Sequence, residues 1–233
     1  MKKGILFILI YGIFFRIINA LVKYFDQIPA LEIVFFRSIV SFFLCYISLR
    51  RTKTKIFNEH TPLLIGRGIS GALALCLYFY TIQKMPLASA VTILYLAPIF
   101  TVILAIFLVK EKPSWAQIPF FALSFFGATL LKQYDSRIEL THFLMGLSAA
   151  FFAGLAYNFI RLLKGKVDHQ LIIFYFPLIT IPIVLPFLFQ IWVTPSWTEL
   201  FGLISIGIIT QIAQIFMTKA YLFESASKIS HFS

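Results

Sequence analysis

The chain reads as an all-α polytopic membrane protein on three grounds: its composition, the length of its apolar stretches and a correspondence between its two halves. Apolar residues make up 60% of it and charged residues 12%, with 28 Phe. Soluble domains carry about 25% charged and about 45–50% apolar residues, so a water-soluble fold of this composition would leave too much hydrocarbon in water. The charge-poor stretches run to about 20 residues, the length at which a helix crosses a bilayer.

Spans fall in order at 4–25, 29–49, 62–84, 86–109, 114–132, 143–161, 170–193 and 198–221. The first opens on Met1-Lys2-Lys3-Gly4, like the start of a signal peptide. No small-residue cleavage site follows and a second span comes almost at once, so this helix is expected to stay. The second span carries Glu32 and Arg37, the third Arg67 near its inner end. The fourth holds Pro98 at mid-span, then Val102-Ile103-Leu104-Ala105-Ile106-Phe107-Leu108-Val109, apolar on every face. A barrel strand would instead alternate apolar and polar residues. The fifth span closes the first half. The sixth repeats small residues every fourth position at Gly146, Ala150 and Gly154, as the third does at Gly66, Ser70 and Ala74; such stripes let helices approach closely. The seventh is crowded by Pro177, Pro182 and Pro186. Proline frees carbonyls and bends a helix, either exposing backbone near a site or only kinking the packing. Gln211 and Gln214 share a face of the eighth.

With the N-terminus inside, 13 of the 20 Lys and Arg lie on the inner side and 4 on the outer, with Arg16, Arg37 and Arg67 left within spans. Such a bias predicts a cytoplasmic N-terminus and a multi-pass protein of the cell membrane. Trp192 and Trp197 then bracket the outer turn between spans seven and eight, where interfacial indoles are expected. The net charge of +11 does not point to nucleic acid, because the basic residues cluster between apolar stretches and the aromatics are mostly Phe inside them. A single-strand groove would interleave stacking rings with Lys and Arg. Cys45 and Cys76 sit in apolar spans without a CxxC, so neither a disulfide framework nor a zinc site is indicated. His60, His142, His169 and His231 fall in loops or at helix ends, and HExxH, GxSxG and Walker-type glycine loops are missing. No enzyme and no cofactor is expected, and there is no room for a nucleotide-driven pump.

An internal repeat organises the spans. Leu31-Glu32-Ile33-Val34-Phe35-Phe36-Arg37 lines up with Leu171-Ile172-Ile173-Phe174-Tyr175-Phe176-Pro177 at an offset of 140, and Leu87-Ala88-Ser89 with Ser225-Ala226-Ser227 at 138. Five spans precede the repeat point, an odd number, so the second unit is inverted in the membrane, with the site expected near mid-depth between the units. The division is 1–138 for the first five-helix unit and 139–233 for the second. Counterparts of spans four and five would occupy about 224–272, and the chain ends at Ser233. The second unit is therefore expected to be truncated after three helices.

Ionisable groups at membrane depth usually face a cavity or a partner. Arg37 is the leading candidate, as a cavity-facing substrate or gating residue or as half of a buried ion pair. Glu32, five residues earlier, points about 140° away around the helix, so it is expected to reach an Arg or Lys of another span. Arg67 sits where its stem can snorkel to the inner face, which suggests a structural or topological role. Arg16, Asn19 and Lys23 share a face of the first helix, as a water-lined path or an inter-helix seam. Asn158, Gln211 and Gln214 are neutral groups that either read a substrate or bridge helices. Tyr95 offers a ring and a hydroxyl beside the turn between spans three and four.

The stretch Tyr78-Phe79-Tyr80-Thr81-Ile82-Gln83-Lys84-Met85-Pro86-Leu87-Ala88-Ser89-Ala90-Val91-Thr92-Ile93-Leu94-Tyr95-Leu96-Ala97-Pro98, continuing through Val109-Lys110-Glu111-Lys112, resembles the EamA-like branch of the drug/metabolite transporter superfamily. Small residues open the fourth helix, a proline stands in its middle and an acidic residue closes its inner end. Glu32 to Arg37 and Arg67-Gly68 are also similar to members of the group. The resemblance implies an inverted-repeat transporter bundle of the ten-helix type, here about eight spans with the last two missing. It also implies that Arg37, Arg67, Pro98 and Glu111 occupy recurrent positions, whereas Pro177 stands opposite Arg37 and Ser205 opposite Arg67. Charge in the cavity is then one-sided, which favours an anionic or zwitterionic solute. The pattern is also similar to S-adenosylmethionine uptake carriers. The expected activity is secondary transport of a small polar metabolite, such as an amino acid or nucleoside-like compound, by alternating access. The rival is a non-transporting membrane subunit or inactive fragment. The expected partners are the lipid bilayer and a small-molecule substrate, with a homodimer left open.

Overall fold

The computed structural model describes residues 3–110 and 118–223. Apolar stretches in a bilayer find no water for their backbone N–H and C=O groups and close those bonds within helices. The helices are α1 (Lys3–Tyr24), α2 (Ala30–Thr52), α3 (Thr61–Lys84), α4 (Leu87–Leu94), α5 (Ala97–Leu108), α6 (Ile118–Tyr134), α7 (Leu140–Leu162), α8 (His169–Ile191) and α9 (Trp197–Phe223). Among the described residues, seven segments are long and apolar enough to cross a membrane, with α4 and α5 together forming one of them. The expected fifth span appears as α6, whose apolar stretch Phe121–Leu130 is shorter.

The fourth span is two helices rather than one, and proline is the reason. Pro98 has no N–H for the carbonyl of Leu94, and its ring crowds that same carbonyl. The chain turns instead at Tyr95 and Leu96, where Tyr95 N donates to Val91 O (3.0 Å) and Leu96 N to Ile93 O (3.0 Å). The Leu96 carbonyl then starts α5 by accepting from Ile99 N (3.0 Å) and Phe100 N (3.2 Å). Three prolines do not break α8. That helix is wedged against α2, α3 and α9, and packing supports it at Pro177, which is buried there.

Several polar groups pin the ends. Lys23 Nζ lies 3.1 Å from Ile82 O and 3.3 Å from both Gln83 O and Met85 O. An ammonium there satisfies the last carbonyls of α3, which a helix leaves unpaired, and suits the negative end of its dipole. Asp168 caps α8 by accepting from Gln170 N at 2.7 Å. At the opposite end, Glu32 Oε2 accepts from Val193 N at 3.0 Å, and Trp192 packs on Phe35 and Phe36 with ring centroids 6.4 and 5.8 Å away. The α8–α9 connection is thereby fastened onto α2.

The packing has an exchange pattern. α3 packs on α7 and α8, while α9 packs on α1 and α2; α2 packs on α8; α2 touches α3 as α8 touches α9, and α1 touches α3 as α7 touches α9. Exchanging α1, α2 and α3 with α7, α8 and α9 leaves this set of pairs unchanged. The pairings of α4 and α5, chiefly α5 with α7 and α4 with α7, fall outside this pattern, for no described helix lies on α1 in the way that α5 lies on α7. Glycines set the closest approaches. A Cβ at Gly66 would meet the Phe159 ring at 2.7 Å, one at Gly68 would meet Tyr175 O at 2.9 Å, and one at Gly154 would meet Thr101 N at 2.8 Å. The small-residue stripes are thus used for helix packing.

Candidate substrate cavity

The exchanged helices enclose a central cavity of about 80 Å³. A water needs roughly 10–15 Å³ measured this way, so several waters or a small group fit. Tyr11 and Phe15 of α1, Tyr78 and Phe79 of α3, Tyr157 of α7 and Phe176 of α8 give it aromatic walls. Tyr11 and Phe15 are one turn apart and stack with centroids 5.3 Å apart, and Phe15 stacks on Tyr78 at 5.7 Å. Against this apolar wall stand three long polar side chains, Arg37 of α2, Arg67 of α3 and Gln214 of α9.

Both arginines turn away from their nearer membrane face. Arg37 is seven residues into α2, about 10 Å deep, and Arg67 is six into α3 from the other side, about 9 Å deep. Each is only 2% exposed. The Arg37 guanidinium carbon lies 5.1 Å from the Phe176 ring centroid, and that of Arg67 lies 4.9 Å from the same ring. The Arg67 head reaches one turn deeper along its own helix, over Gly71, where a Cβ would collide with Nη1 and meet the Phe176 ring at 2.8 Å. Gly71 is therefore the vacancy that lets Arg67 point inward. The expected snorkelling of Arg67 does not occur, because its stem runs toward mid-depth instead of the surface.

Neither guanidinium has an acidic partner among the described residues. Arg67 Nη2 donates to Gln214 Oε1 at 3.4 Å, and Nε and Nη1 of Arg67 and Nε and Nη2 of Arg37 are buried without a hydrogen bond. The ion-pair alternative for Arg37 thus finds no acid to fill it. Glu32 is spent on Val193 N instead of on an arginine or lysine of another span. Placing a charge at membrane depth costs about 2.5–3.5 kcal/mol on insertion scales. A desolvated cation–π contact returns about 2 kcal/mol or more, and the Arg37 guanidinium carbon also lies 5.9 Å from the Phe79 ring centroid. The rings offset much of that cost, and the guanidinium N–H groups without an acceptor are what the described residues leave unsatisfied.

A second cavity of about 220 Å³ adjoins the first, sharing Tyr11, Phe15, Leu94 and Tyr157 with it. It lies between α1 and the α4–α5 break and is lined by Arg16, Tyr95 and Pro98. The structure thus brings the sequence candidates into two groups: Arg37, Arg67 and Gln214 in the central cavity, Arg16, Tyr95 and Pro98 beside it. The polar stripe on α1 is divided, with Arg16 lining the second cavity, Asn19 buried and Lys23 capping α3. Asn158 Nδ2 bonds to Thr101 O (3.0 Å) and Gly154 O (2.9 Å) and so ties α7 to α5. Gln211 Nε2 reaches Cys45 Sγ at 2.9 Å and ties α9 to α2. Pro177 is buried within α8 beside Phe176, and Glu111 lies outside the described residues. Sequence reasoning did not single out Phe176, Gly71, Tyr11 or Tyr157. The alignment of Phe176-Pro177 with Phe36-Arg37 was the one signal near any of them.

The EamA-like transporter family matches residues 2–132. The chain belongs to that family. It is 30% identical to the pseudopaline exporter CntI of Pseudomonas aeruginosa across 99% of this chain and 82% of the exporter. It is also 26% identical to the S-adenosylmethionine uptake transporter of Rickettsia prowazekii across 84% of this chain and 67% of that transporter. A crystal structure superposes on 98% of this chain and 80% of its own with a TM-score of 0.73 and 15% identity, a likeness of fold. This EamA-family chain is a multi-pass membrane transporter of small substrates, and its family and relatives are transporters rather than enzymes.

Proposed function

We propose that the protein is a secondary transporter that moves a small polar metabolite, in the range of an amino acid or nucleoside-like compound, across the cell membrane by alternating access. The observation that carries this reading is the central cavity, where Arg37, Arg67 and Gln214 converge from three helices on an aromatic wall. Small-molecule sites combine largely apolar linings with a few convergent polar groups in this way. The units 1–138 and 139–233 act as inverted halves, a division supported by the exchange pattern of the helix pairs. Rocking of one half against the other would open the cavity to each side in turn. The N-terminus lies in the cytoplasm, supported by the 13 basic residues assigned to that side.

Purified protein in liposomes tests the reading by uptake or efflux of a panel of amino acids, nucleosides and organic acids. Saturable flux supports it, and silence across the panel defeats it. The second reading is a non-transporting membrane subunit, in which the exposed Leu9, Ile13 and Ile17 of α1 would meet a partner instead of lipid. Loss of flux together with stable capture of another membrane protein would favour that second reading.

A further inference from the structure

We propose that the central cavity is a receptor for a carboxylate, held by Arg37 and Arg67 together, on a solute with an apolar, planar body. The inference rests on the reading of this cavity as the transport site and names the substrate class that the site takes.

The two nitrogens of Arg37 that are buried without a hydrogen bond are Nε and Nη2. They are adjacent on one edge of the guanidinium and present the two parallel N–H groups that a carboxylate accepts in bidentate fashion. Arg67 keeps Nε and Nη1 unpartnered while Nη2 is held by Gln214. The two heads share Phe176 as a common wall, at 5.1 and 4.9 Å from its centroid. Both line the cavity, whose wall contains no Asp or Glu. Two cations that share one ring and have no counter-ion among the described residues form a site suited to an anion. A cationic solute would be repelled here, and a neutral one would leave the pair of charges uncompensated.

The walls select the rest of the solute. Tyr11, Phe15, Tyr78 and Tyr157 offer ring faces to a flat apolar body, and the shared wall with the second cavity gives that body room to extend toward Tyr95. The four unpartnered nitrogens are dry in this state. Binding therefore includes a swing of the guanidinium planes toward the space they line, as expected when a solute is taken into an occluding site.

The test uses the full chain, purified in detergent, and a matched set of probes: phenylacetate, its neutral isostere phenylacetamide and its cationic counterpart phenethylamine. Binding is read as ligand-dependent thermal stabilisation. Phenylacetate is expected to bind at least tenfold more tightly than the amide, with no stabilisation by the amine. Arg37→Lys and Arg67→Lys keep the charge but lose the planar fork, and each should weaken phenylacetate binding about tenfold while the unliganded melting temperature stays near wild type. Arg37→Gln should remove the preference for the anion altogether. Equal binding of amide and carboxylate, or wild-type phenylacetate affinity in both lysine variants, overturns the proposal. Flux separates this inference from the functional reading. Phenylacetate binding without flux of any solute keeps the anion site and removes the transporter reading. Flux of a neutral or cationic solute that is unaffected by Arg37→Lys keeps the transporter reading and removes the anion site.

Discussion

Helices α1 and α7 occupy exchanged positions in the bundle, yet they are built on opposite principles. α1 packs on α9 much as α7 packs on α3, but α7 also receives α5 along its other side. Half of the residues in the most apolar stretch of α7 are buried, against 22% in α1. α1 is nevertheless the more apolar of the two. The inversion is instructive. In lipid, apolar surface is at home facing outward, and helices associate through close packing of small residues rather than through hydrophobic burial. α7 is studded with Gly146, Ala149, Ala150, Ala153, Gly154 and Ala156, whereas the outward face of α1 shows Leu6, Leu9, Ile13 and Ile17. Small residues mark protein contact, and large apolar ones mark lipid.

The sharpest way to break this comparison is to enlarge one glycine on each helix. A Cβ at Gly154 would already meet Thr101 N at 2.8 Å and Phe100 Cβ at 2.9 Å, whereas nothing lies within 4 Å of one at Gly12. Gly154→Leu should cost about 3 kcal/mol, by overpacking α7 against α5, or yield no folded protein. Gly12→Leu should stay within about 0.5 kcal/mol of wild type. Thermal unfolding in detergent reads both, and equal losses would mean that α1 is as tightly covered as α7.

Asn158→Ala should cost about 2 kcal/mol in the same measurement, because it leaves the buried Thr101 carbonyl without its side-chain donor. A loss well below that would show that the α5–α7 contact rests on close packing alone. Gly71→Ala acts on α3, which touches both helices. It should lower stability by only about 1 kcal/mol yet cut flux about tenfold by displacing Arg67 and Phe176. Unchanged flux would remove Arg67 from the transport path.

The smallest effect belongs to the connection that leads into α7. Arg137 Nε donates to Asp135 Oδ1 at 2.9 Å and Nη2 to Oδ2 at 3.0 Å. These hydrogen bonds lower the Asp135 pKa from its ordinary 3.8. A depressed carboxylate pKa contributes stability above the unfolded value and loses it as pH falls through the folded one. Stability from this pair is thus present at neutral pH and fades below 3.8. The site is exposed, and exposed pairs contribute little, so Asp135→Asn should leave the neutral-pH melting temperature within error and flatten only its acid limb.

Most of the fold was legible before any coordinates, and the reasons are local. Long apolar stretches must form helices in lipid because nothing else satisfies the backbone there. The place of Pro98 was legible too, but its consequence was not, since Pro177, Pro182 and Pro186 look equally disruptive and α8 stays whole. Packing supports the helix at the buried Pro177, whereas Pro182 and Pro186 are exposed and α8 continues through them as well. The site divided in the same way. Arg37 stood out by its depth, but Arg67 read as a snorkelling residue because depth says nothing about which way a long side chain turns.

Composition and spacing, then, determined that the chain crosses a membrane as helices, roughly where each crossing lies, and that its charge is predominantly basic. Those properties follow from each segment's own exchange with lipid and need no neighbour. The tertiary structure alone decided that Arg37 and Arg67 meet over Phe176, that Gly71 makes room for the second of them, and that Glu32 holds Val193 instead of answering either charge. Arg37, Arg67 and Phe176 lie on three helices, Val193 lies in the connection that Glu32 of α2 reaches, and Gly71 lies on a face whose use depends on a neighbour. Which of them come together is set by packing among helices, and no single span encodes that.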